Sequence, residues 1–165
     1  SEVAPSAAVG SSPAREALPP EERNGRRGRT ERPTVLVIED DIDTQIYMKE
    51  LLGKRYRVLV AASAEEARAR LESSRDRVLM ILMDLSLRGE EDGLLLTESL
   101  RRHPSWHRIP IIATTAHAFP EDRARALEAG CNAYLAKPIR RHELLELMEA
   151  LLRPSTFAPR SDALH

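Results

Sequence analysis

The sequence contains a single cysteine, Cys131, so no intramolecular disulfide can form and a metal site built from several thiolates is excluded. No apolar run approaches the roughly 20 residues that a membrane-spanning helix needs. Neither sign of charge dominates, because 25 Lys+Arg stand against 26 Asp+Glu, which argues against an overall basic nucleic-acid binder. Ser1–Gly10 show no basic segment followed by an apolar one, so we expect no secretion signal. We therefore expect a soluble, cytoplasmic protein.

Residues 1–33 lack aromatic side chains and hold 5 of the 11 prolines and 3 of the 7 glycines. Such a segment cannot bury enough apolar surface to offset a backbone entropy cost of about 1–2 kcal/mol per residue. We predict a disordered arm or linker over 1–33 and a disordered tail over 154–165. The arginines of the arm are interspersed with glutamates, which favours a solvated spacer over a nucleic-acid-binding segment.

Residues 34–153 alternate between two kinds of pattern, which together predict an α/β fold. Short apolar runs typical of buried strands lie at Val35–Ile38, Tyr56–Ala61, Val78–Met83, Ile109–Thr115 and Ala133–Ala136. Helical signals follow them at Thr44–Leu52, from Ser63 onward, and at Leu94–Arg102, Pro120–Ala129 and Arg140–Leu152. In the first helix we place Ile46, Leu51 and Leu52 on the buried side. Right-handed crossovers between five such strands give a parallel sheet with helices on both faces.

Side chains suited to phosphoryl chemistry follow four of the predicted strands. Glu39 and Asp40 follow the first, Asp84 the third, Thr115 ends the fourth and Lys137 follows the fifth. Ligands of doubly wound sheets bind at the carboxyl ends of the strands. Carboxylates that converge there repel one another, and a hard cation such as Mg²⁺, which prefers oxygen ligands, relieves that repulsion. Together with a hydroxyl and an ammonium group, these acids predict a pocket for a transferring phosphoryl group.

These residues resemble the receiver domain of two-component response regulators. The resemblance is carried by VLVIEDD (Val35–Asp41), Asp84 after the central strand, Thr115-Ala116 and Lys137-Pro138, and it covers essentially all of residues 34–153. The segments IPIIATTAHA and AGCNAYLAKPI look most like single-domain regulators and the receivers of hybrid histidine kinases. The resemblance implies a flavodoxin-like, doubly wound, five-stranded parallel sheet with strand order 2-1-3-4-5.

The resemblance also implies a role for each residue of the site. Asp84 accepts a phosphoryl group from a kinase phosphohistidine. Mg²⁺ is held by Asp40 and Asp84 directly, by Glu39 directly or through water, and by the backbone carbonyl of Ser86. The chain then acts as a phosphoacceptor that promotes its own phosphorylation and dephosphorylation rather than as an enzyme.

Thr115, Lys137 and Tyr134 complete the set that the resemblance implies. Thr115 hydrogen-bonds one phosphoryl oxygen and Lys137 forms an ion pair with another. Tyr134 matches the aromatic residue of the family's switch, which turns inward as Thr115 moves toward the phosphoryl group. The Lys137–Pro138 bond is cis in the family.

Two departures from the family pattern lie in the loop after the aspartate. Arg88 stands where the loop after the aspartate usually carries proline, and Leu87–Gly93 is one residue longer than usual. Both differences bear on the rigidity of the loop and on the lifetime of the phosphoryl group. Glu39 replaces an aspartate, which preserves the charge.

The expected partners are a histidine kinase or phosphotransfer protein and a downstream protein target, with no direct contact to nucleic acid or membrane. We expect a monomer or a weak homodimer. Two alternatives stay open. A Mg²⁺-dependent aspartyl-phosphate phosphohydrolase is disfavoured because Ser86 stands where a second acid would protonate the leaving group. A pseudo-receiver that binds partners without phosphorylation is disfavoured by the complete set of acids, Thr115 and Lys137.

Overall fold

The computed structural model describes residues 32–74, 77–117 and 119–153. The predicted tail, and the predicted arm apart from residues 32 and 33, lie outside the described residues. No helix in the described part of the chain is long and apolar enough to cross a membrane.

Five strands and five helices alternate along the described chain. The strands are β1 (Thr34–Ile38), β2 (Arg57–Ala61), β3 (Val78–Asp84), β4 (Ile111–Thr115) and β5 (Ala133–Ala136). The helices are α1 (Ile42–Leu52), α2 (Ala64–Ser73), α3 (Gly93–Arg101), α4 (Pro120–Ala129) and α5 (Arg141–Leu152). The strands pair in parallel in the order β2-β1-β3-β4-β5. The predicted doubly wound sheet and its strand order are therefore confirmed.

The alternation of side chains along the strands separates two hydrophobic cores. In β1, Val35 and Val37 face helices α1 and α5, whereas Leu36 and Ile38 face helices α2, α3 and α4. All four side chains are at most 2% exposed. Burial of each such side chain contributes about 1.5–3 kcal/mol. A strand covered on both faces needs the continuous apolar run that the sequence shows.

Two element boundaries differ from the prediction by two residues, and one residue lies on the other face of its helix. Helix α1 begins at Ile42 rather than Thr44, because the carboxylate of Asp41 accepts a hydrogen bond from the Thr44 amide at 2.9 Å and caps the earlier start. Strand β4 begins at Ile111, because Pro110 has no amide hydrogen to donate to a ladder. The placement of Ile46 on the buried side is wrong: its side chain is 51% exposed, and Met48 is buried instead.

Arg101, at the end of α3, holds together the edge of the sheet where the strands begin. Its guanidinium donates hydrogen bonds to the carbonyl oxygens of Gly130, His107 and Ile109 at 2.8–3.0 Å, and to Asn132 Oδ1 at 2.8 Å. Those acceptors lie before β4 and between α4 and β5. One side chain thus fixes the starting points of two neighbouring strands.

Cys131 provides a test of the packing between α3 and β5. Its thiol is 6% exposed and lies 3.8 Å from the hydroxyl of Thr97, which itself donates to the Gly93 carbonyl at 2.8 Å. Burial raises the pKa of the Cys131 thiol. Since only thiolate reacts, we expect an aromatic disulfide reagent to modify the native protein about two orders of magnitude more slowly than the urea-unfolded chain. Absorbance of the released thiolate measures both rates, and equal rates would contradict the buried position.

Candidate phosphoryl-transfer site

Three carboxylates meet at the carboxyl edge of the sheet. Glu39 and Asp40 follow β1 directly, and Asp84 is the last residue of the adjacent strand β3. One side-chain oxygen of each residue lies within 4.8 Å of the others. Glu39 is 3% and Asp84 2% exposed, so two of the three carboxylates are removed from bulk water. The predicted convergence of the acids is therefore present in the structure.

Glu39 is held in place by the start of α1. Its Oε2 accepts a hydrogen bond from the Asp41 amide at 3.1 Å, and its carbonyl oxygen accepts one from Gln45 Nε2 at 2.6 Å. Burial raises the pKa of Glu39, and the hydrogen bond from Lys137 opposes that rise. A buried carboxylate of this kind gains stability from an additional positive charge at its oxygens.

Lys137 supplies one positive charge to the cluster. Its Nζ lies 2.9 Å from Glu39 Oε1 and 3.6 Å from Asp84 Oδ1. Burial alone would lower the pKa of Lys137, but the hydrogen bond with Glu39 and the charge of Asp84 raise it above its usual value. The Lys137 amide donates to the Thr115 carbonyl at 2.7 Å, which fixes its backbone beside β4. The Lys137–Pro138 bond is cis, as the resemblance implies.

The carboxylate of Asp84 is oriented by its own loop. Asp84 Oδ1 accepts a hydrogen bond from the Ser86 amide at 2.9 Å, and the same oxygen faces the Lys137 ammonium. The Leu85 amide donates to the Thr114 carbonyl at 2.9 Å, which holds the turn against β4. These contacts hold the Asp84 side chain in one orientation at the carboxyl edge of the sheet. A role for the Ser86 carbonyl as a metal ligand stays a prediction.

Asp40 interacts with Arg88, a contact that sequence reasoning did not foresee. Asp40 Oδ2 accepts hydrogen bonds from the backbone amide of Arg88 at 3.0 Å and from its Nε at 3.1 Å. Burial opposes a lower pKa at Asp40, but the two hydrogen bonds from Arg88 and its guanidinium charge together outweigh burial and lower the pKa. The sequence marked Arg88 as a departure from the family pattern, but nothing in the spacing showed that it reaches Asp40.

Thr115 and Tyr134 lie at the neighbouring strand ends. Thr115 is 4% exposed, and its hydroxyl accepts a hydrogen bond from the His117 amide at 3.1 Å. The Tyr134 hydroxyl donates to the His117 carbonyl at 2.7 Å. Asp84 pairs with Thr114 in the ladder, so Thr115 is one residue beyond Asp84 on the adjacent strand. Both predicted switch residues therefore contact the same short segment after β4.

Gly93 allows α3 to approach the backbone of Asp84. A Cβ at this position would lie 2.5 Å from the Asp84 carbonyl oxygen and 2.9 Å from Leu85 Cα, which are both backbone atoms. We expect Gly93→Ala to lower the free energy of unfolding by about 1–3 kcal/mol through overpacking, with the midpoint of urea unfolding as the measurement. Glu98→Ala, at an exposed position on the same helix, is the control and is expected to change it by less than about 0.5 kcal/mol. A wild-type midpoint for Gly93→Ala would contradict the close approach.

The donor set fits a hard divalent cation. Carboxylate oxygens from three residues lie close together, and two of these residues, Glu39 and Asp84, are buried. The Lys137 ammonium supplies positive charge to both, at 2.9 Å from Glu39 and 3.6 Å from Asp84. Mg²⁺ needs two or three protein oxygens and keeps several waters. The same edge also carries an ammonium and a buried hydroxyl, which are donors for the oxygens of a phosphoryl group.

The comparisons with known proteins agree with this geometry. The sequence profile described as the response regulator receiver domain matches residues 35–149. An uncharacterized 14.6 kDa protein in the sodA1 3′ region of Leptolyngbya boryana is 36% identical over 116 residues, which are 70% of this chain and 86% of that protein. The transcriptional regulatory protein CpxR of Klebsiella pneumoniae is 34% identical over 125 residues, which are 75% of this chain and 51% of CpxR. The chain thus spans about half the length of CpxR.

A solved structure matches the fold and carries an ion at its active site. It is the receiver domain of the sensor histidine kinase PA1611 from Pseudomonas aeruginosa, with a magnesium ion coordinated in the active-site cleft. The two chains are 35% identical with a TM-score of 0.67, and the match covers 74% of this chain and 99% of that domain.

Proposed function

This chain belongs to the family of response regulator receiver domains, and on that premise we propose that Asp84 is the residue that accepts a phosphoryl group from a histidine kinase. The family match makes the chain a phosphoacceptor signalling domain of the two-component type. The observation that carries the assignment to Asp84 is its position: a carboxylate 2% exposed, at the end of the central strand, 3.6 Å from the Lys137 ammonium. We take 34–153 as the extent of the receiver domain.

Mg²⁺ is the proposed cofactor, held by Glu39, Asp40, Asp84 and the carbonyl of Ser86. Bound there, the ion supplies positive charge that neutralises the phosphoryl oxygens as the group transfers. The protein supports this role by gathering the three carboxylates within 4.8 Å. The magnesium ion of the PA1611 receiver domain supports it from a relative.

The side chains of this chain then perform the transfer. An oxygen of the Asp84 carboxylate attacks the phosphorus of a phosphohistidine, the P–O bond forms, and the P–N bond breaks with its electron pair returning to the imidazole. Lys137 pairs with one phosphoryl oxygen, and the Thr115 hydroxyl donates to another. Strands β4 and β5 place Thr115 and Lys137 at the same edge of the sheet as Asp84, so both donors lie beside the acceptor carboxylate.

The transfer also creates the signal. The Thr115 hydroxyl moves toward the phosphoryl oxygen to which it donates, and this movement breaks the hydrogen bond that it accepts from the His117 amide. The segment after β4 then shifts, and Tyr134, which is bonded to the His117 carbonyl, loses its present anchor and turns inward. A local charge change thus alters the surface around β5 that a downstream protein reads.

The proposed setting is the cytoplasm, with a histidine kinase or phosphotransfer protein as donor and a protein target as recipient of the signal. Receiver domains in general interact with such kinases and targets. We propose a monomer or weak homodimer and no direct binding to nucleic acid. The chain acts as a phosphoacceptor that promotes its own phosphorylation and dephosphorylation rather than as a turnover enzyme.

Incubation with acetyl phosphate tests this function. We expect intact mass spectrometry to show incorporation of a single phosphoryl group in the presence of Mg²⁺ and none after chelation by EDTA. The adduct should be lost on treatment with hydroxylamine, which cleaves acyl phosphates. Rapid multiple turnover of unrelated phosphate esters would instead indicate a phosphohydrolase. No adduct with either acetyl phosphate or phosphoramidate would indicate a pseudo-receiver.

A further inference from the structure

The Arg88 side chain contacts the carboxylate of Asp40, one of the three carboxylates proposed to hold the cation. Both of the hydrogen bonds from Arg88, one from its amide and one from Nε, fall on Asp40 Oδ2. The Asp40 side chain is 17% exposed, whereas that of Arg88 is 83% exposed. The guanidinium therefore reaches inward from solvent to a partly buried carboxylate.

Two positively charged side chains, Lys137 and Arg88, contact different carboxylates of the site. Lys137 lies against Glu39 and Asp84, and Arg88 lies against Asp40. Each of the three carboxylates thus has a positively charged partner from the protein itself. A divalent cation entering between them meets a cluster whose charge is partly neutralised already.

We propose that Arg88 is an internal competitor for the cation site, which must leave Asp40 before Mg²⁺ is fully bound. This inference rests on the proposed function, since it concerns the loading of the same site. Magnesium coordinates carboxylate oxygens at about 2.0–2.1 Å, so a guanidinium held on the same carboxylate suffers direct charge repulsion from the ion. Arg88 thereby sets the Mg²⁺ concentration at which the site becomes competent for phosphorylation.

Because Arg88 is exposed, its contact with Asp40 weakens Mg²⁺ binding but does not prevent it. An exposed ion pair is weak and its long side chain finds water readily on release, so the affinity penalty is about two- to fivefold. The Arg88 side chain belongs to neither hydrophobic core, so its replacement does not disturb their packing. The competitor can therefore be removed without unfolding the protein.

Isothermal titration with MgCl₂, in the absence of any phosphodonor, tests the proposal on the full chain. Arg88→Met, which keeps the length and removes the charge, should bind Mg²⁺ about two- to fivefold more tightly than the wild type. Arg88→Lys, which keeps the charge and lacks the Nε donor, should fall between the two. Arg102→Met removes an exposed charge at the far end of α3 and should bind as the wild type does.

A second measurement follows the contact itself. In the wild type, the Nε–Hε NMR resonance of Arg88 should shift as Mg²⁺ is added, because its acceptor is withdrawn. Equal affinities for wild type and Arg88→Met would overturn the proposal, and so would an Arg88→Lys variant that binds Mg²⁺ as tightly as Arg88→Met. Absence of Mg²⁺ binding in all variants would overturn both this proposal and the metal part of the proposed function. Unequal loading of acetyl phosphate at saturating Mg²⁺ would place Arg88 in the transfer itself and also contradict the competitor role.

Discussion

Asp84→Asn abolishes phosphoryl incorporation from acetyl phosphate, and the loss is complete rather than partial. The amide has almost the same shape as the carboxylate, but its oxygen carries no negative charge and does not attack phosphorus. The neighbouring acids, Glu39 and Asp40, are assigned to the magnesium ion, so we expect neither to take over the attack on phosphorus. Intact mass measured over time, with Mg²⁺ present, gives the yield of phosphorylated protein directly.

Asp41→Asn is the matched control for this substitution. Asp41 stands beside the acid cluster but caps α1, where its carboxylate accepts hydrogen bonds from the Thr44 amide and hydroxyl at 2.9 and 2.7 Å. Asparagine caps helices as well as aspartate does, so this variant should be phosphorylated as fully as the wild type. A phosphorylated Asp84→Asn protein would show that another side chain is the acceptor.

Lys137→Met produces two large effects. The rate of phosphorylation by acetyl phosphate should fall about a hundredfold or more, as expected when one preorganised charge donor is removed from a transferring group. The free energy of unfolding should also fall, by about 1–3 kcal/mol, because Glu39 stays buried without the ammonium at 2.9 Å from its carboxylate. Rapid-quench kinetics and urea unfolding measure the two effects separately.

The cation provides an internal check on the Lys137 prediction. Added MgCl₂ should restore more stability to Lys137→Met than to the wild type, because the ion supplies the positive charge that the substitution removes. Lys54→Met, at an exposed position away from the acids, should change neither rate nor stability. If Lys137→Met unfolds at the wild-type urea concentration, the ammonium does not compensate the buried carboxylates.

Most of the fold could be predicted because one physical requirement produces one visible pattern. A parallel strand covered on both faces must be apolar throughout. Val35–Ile38 and Val78–Met83 are such continuous apolar runs, so the sequence indicates buried parallel strands there. The acids and the lysine stand directly after such runs, so their convergence followed from the parallel arrangement. Their roles came from the resemblance to receiver domains, since acids at a sheet edge do not by themselves specify phosphoryl transfer.

Features that depend on distant contacts could not be read in this way. Ile46 is a different case, because the helical period itself excludes it: Met48, three and four residues before Leu51 and Leu52, shares their buried face, and Ile46 lies on the opposite side. The approach of Gly93 to Asp84 depends on the height of α3 above the sheet. The contact between Arg88 and Asp40 joins residues that are 48 positions apart through the path of one loop.

Substitutions at Arg101 should abolish signalling by a different route from substitutions in the phosphoryl-transfer site. Its acceptors fix where β4 and β5 start, and those strands end in Thr115 and immediately before Lys137. Loss of the guanidinium leaves the partly buried carbonyl groups of Gly130 and Ile109 without this donor and destabilises the start of both strands. A genetic screen for lost signalling would then recover alleles at Arg101 next to alleles at Asp84. Immunoblotting distinguishes them, because the former deplete the protein from the cell while the latter leave its abundance intact.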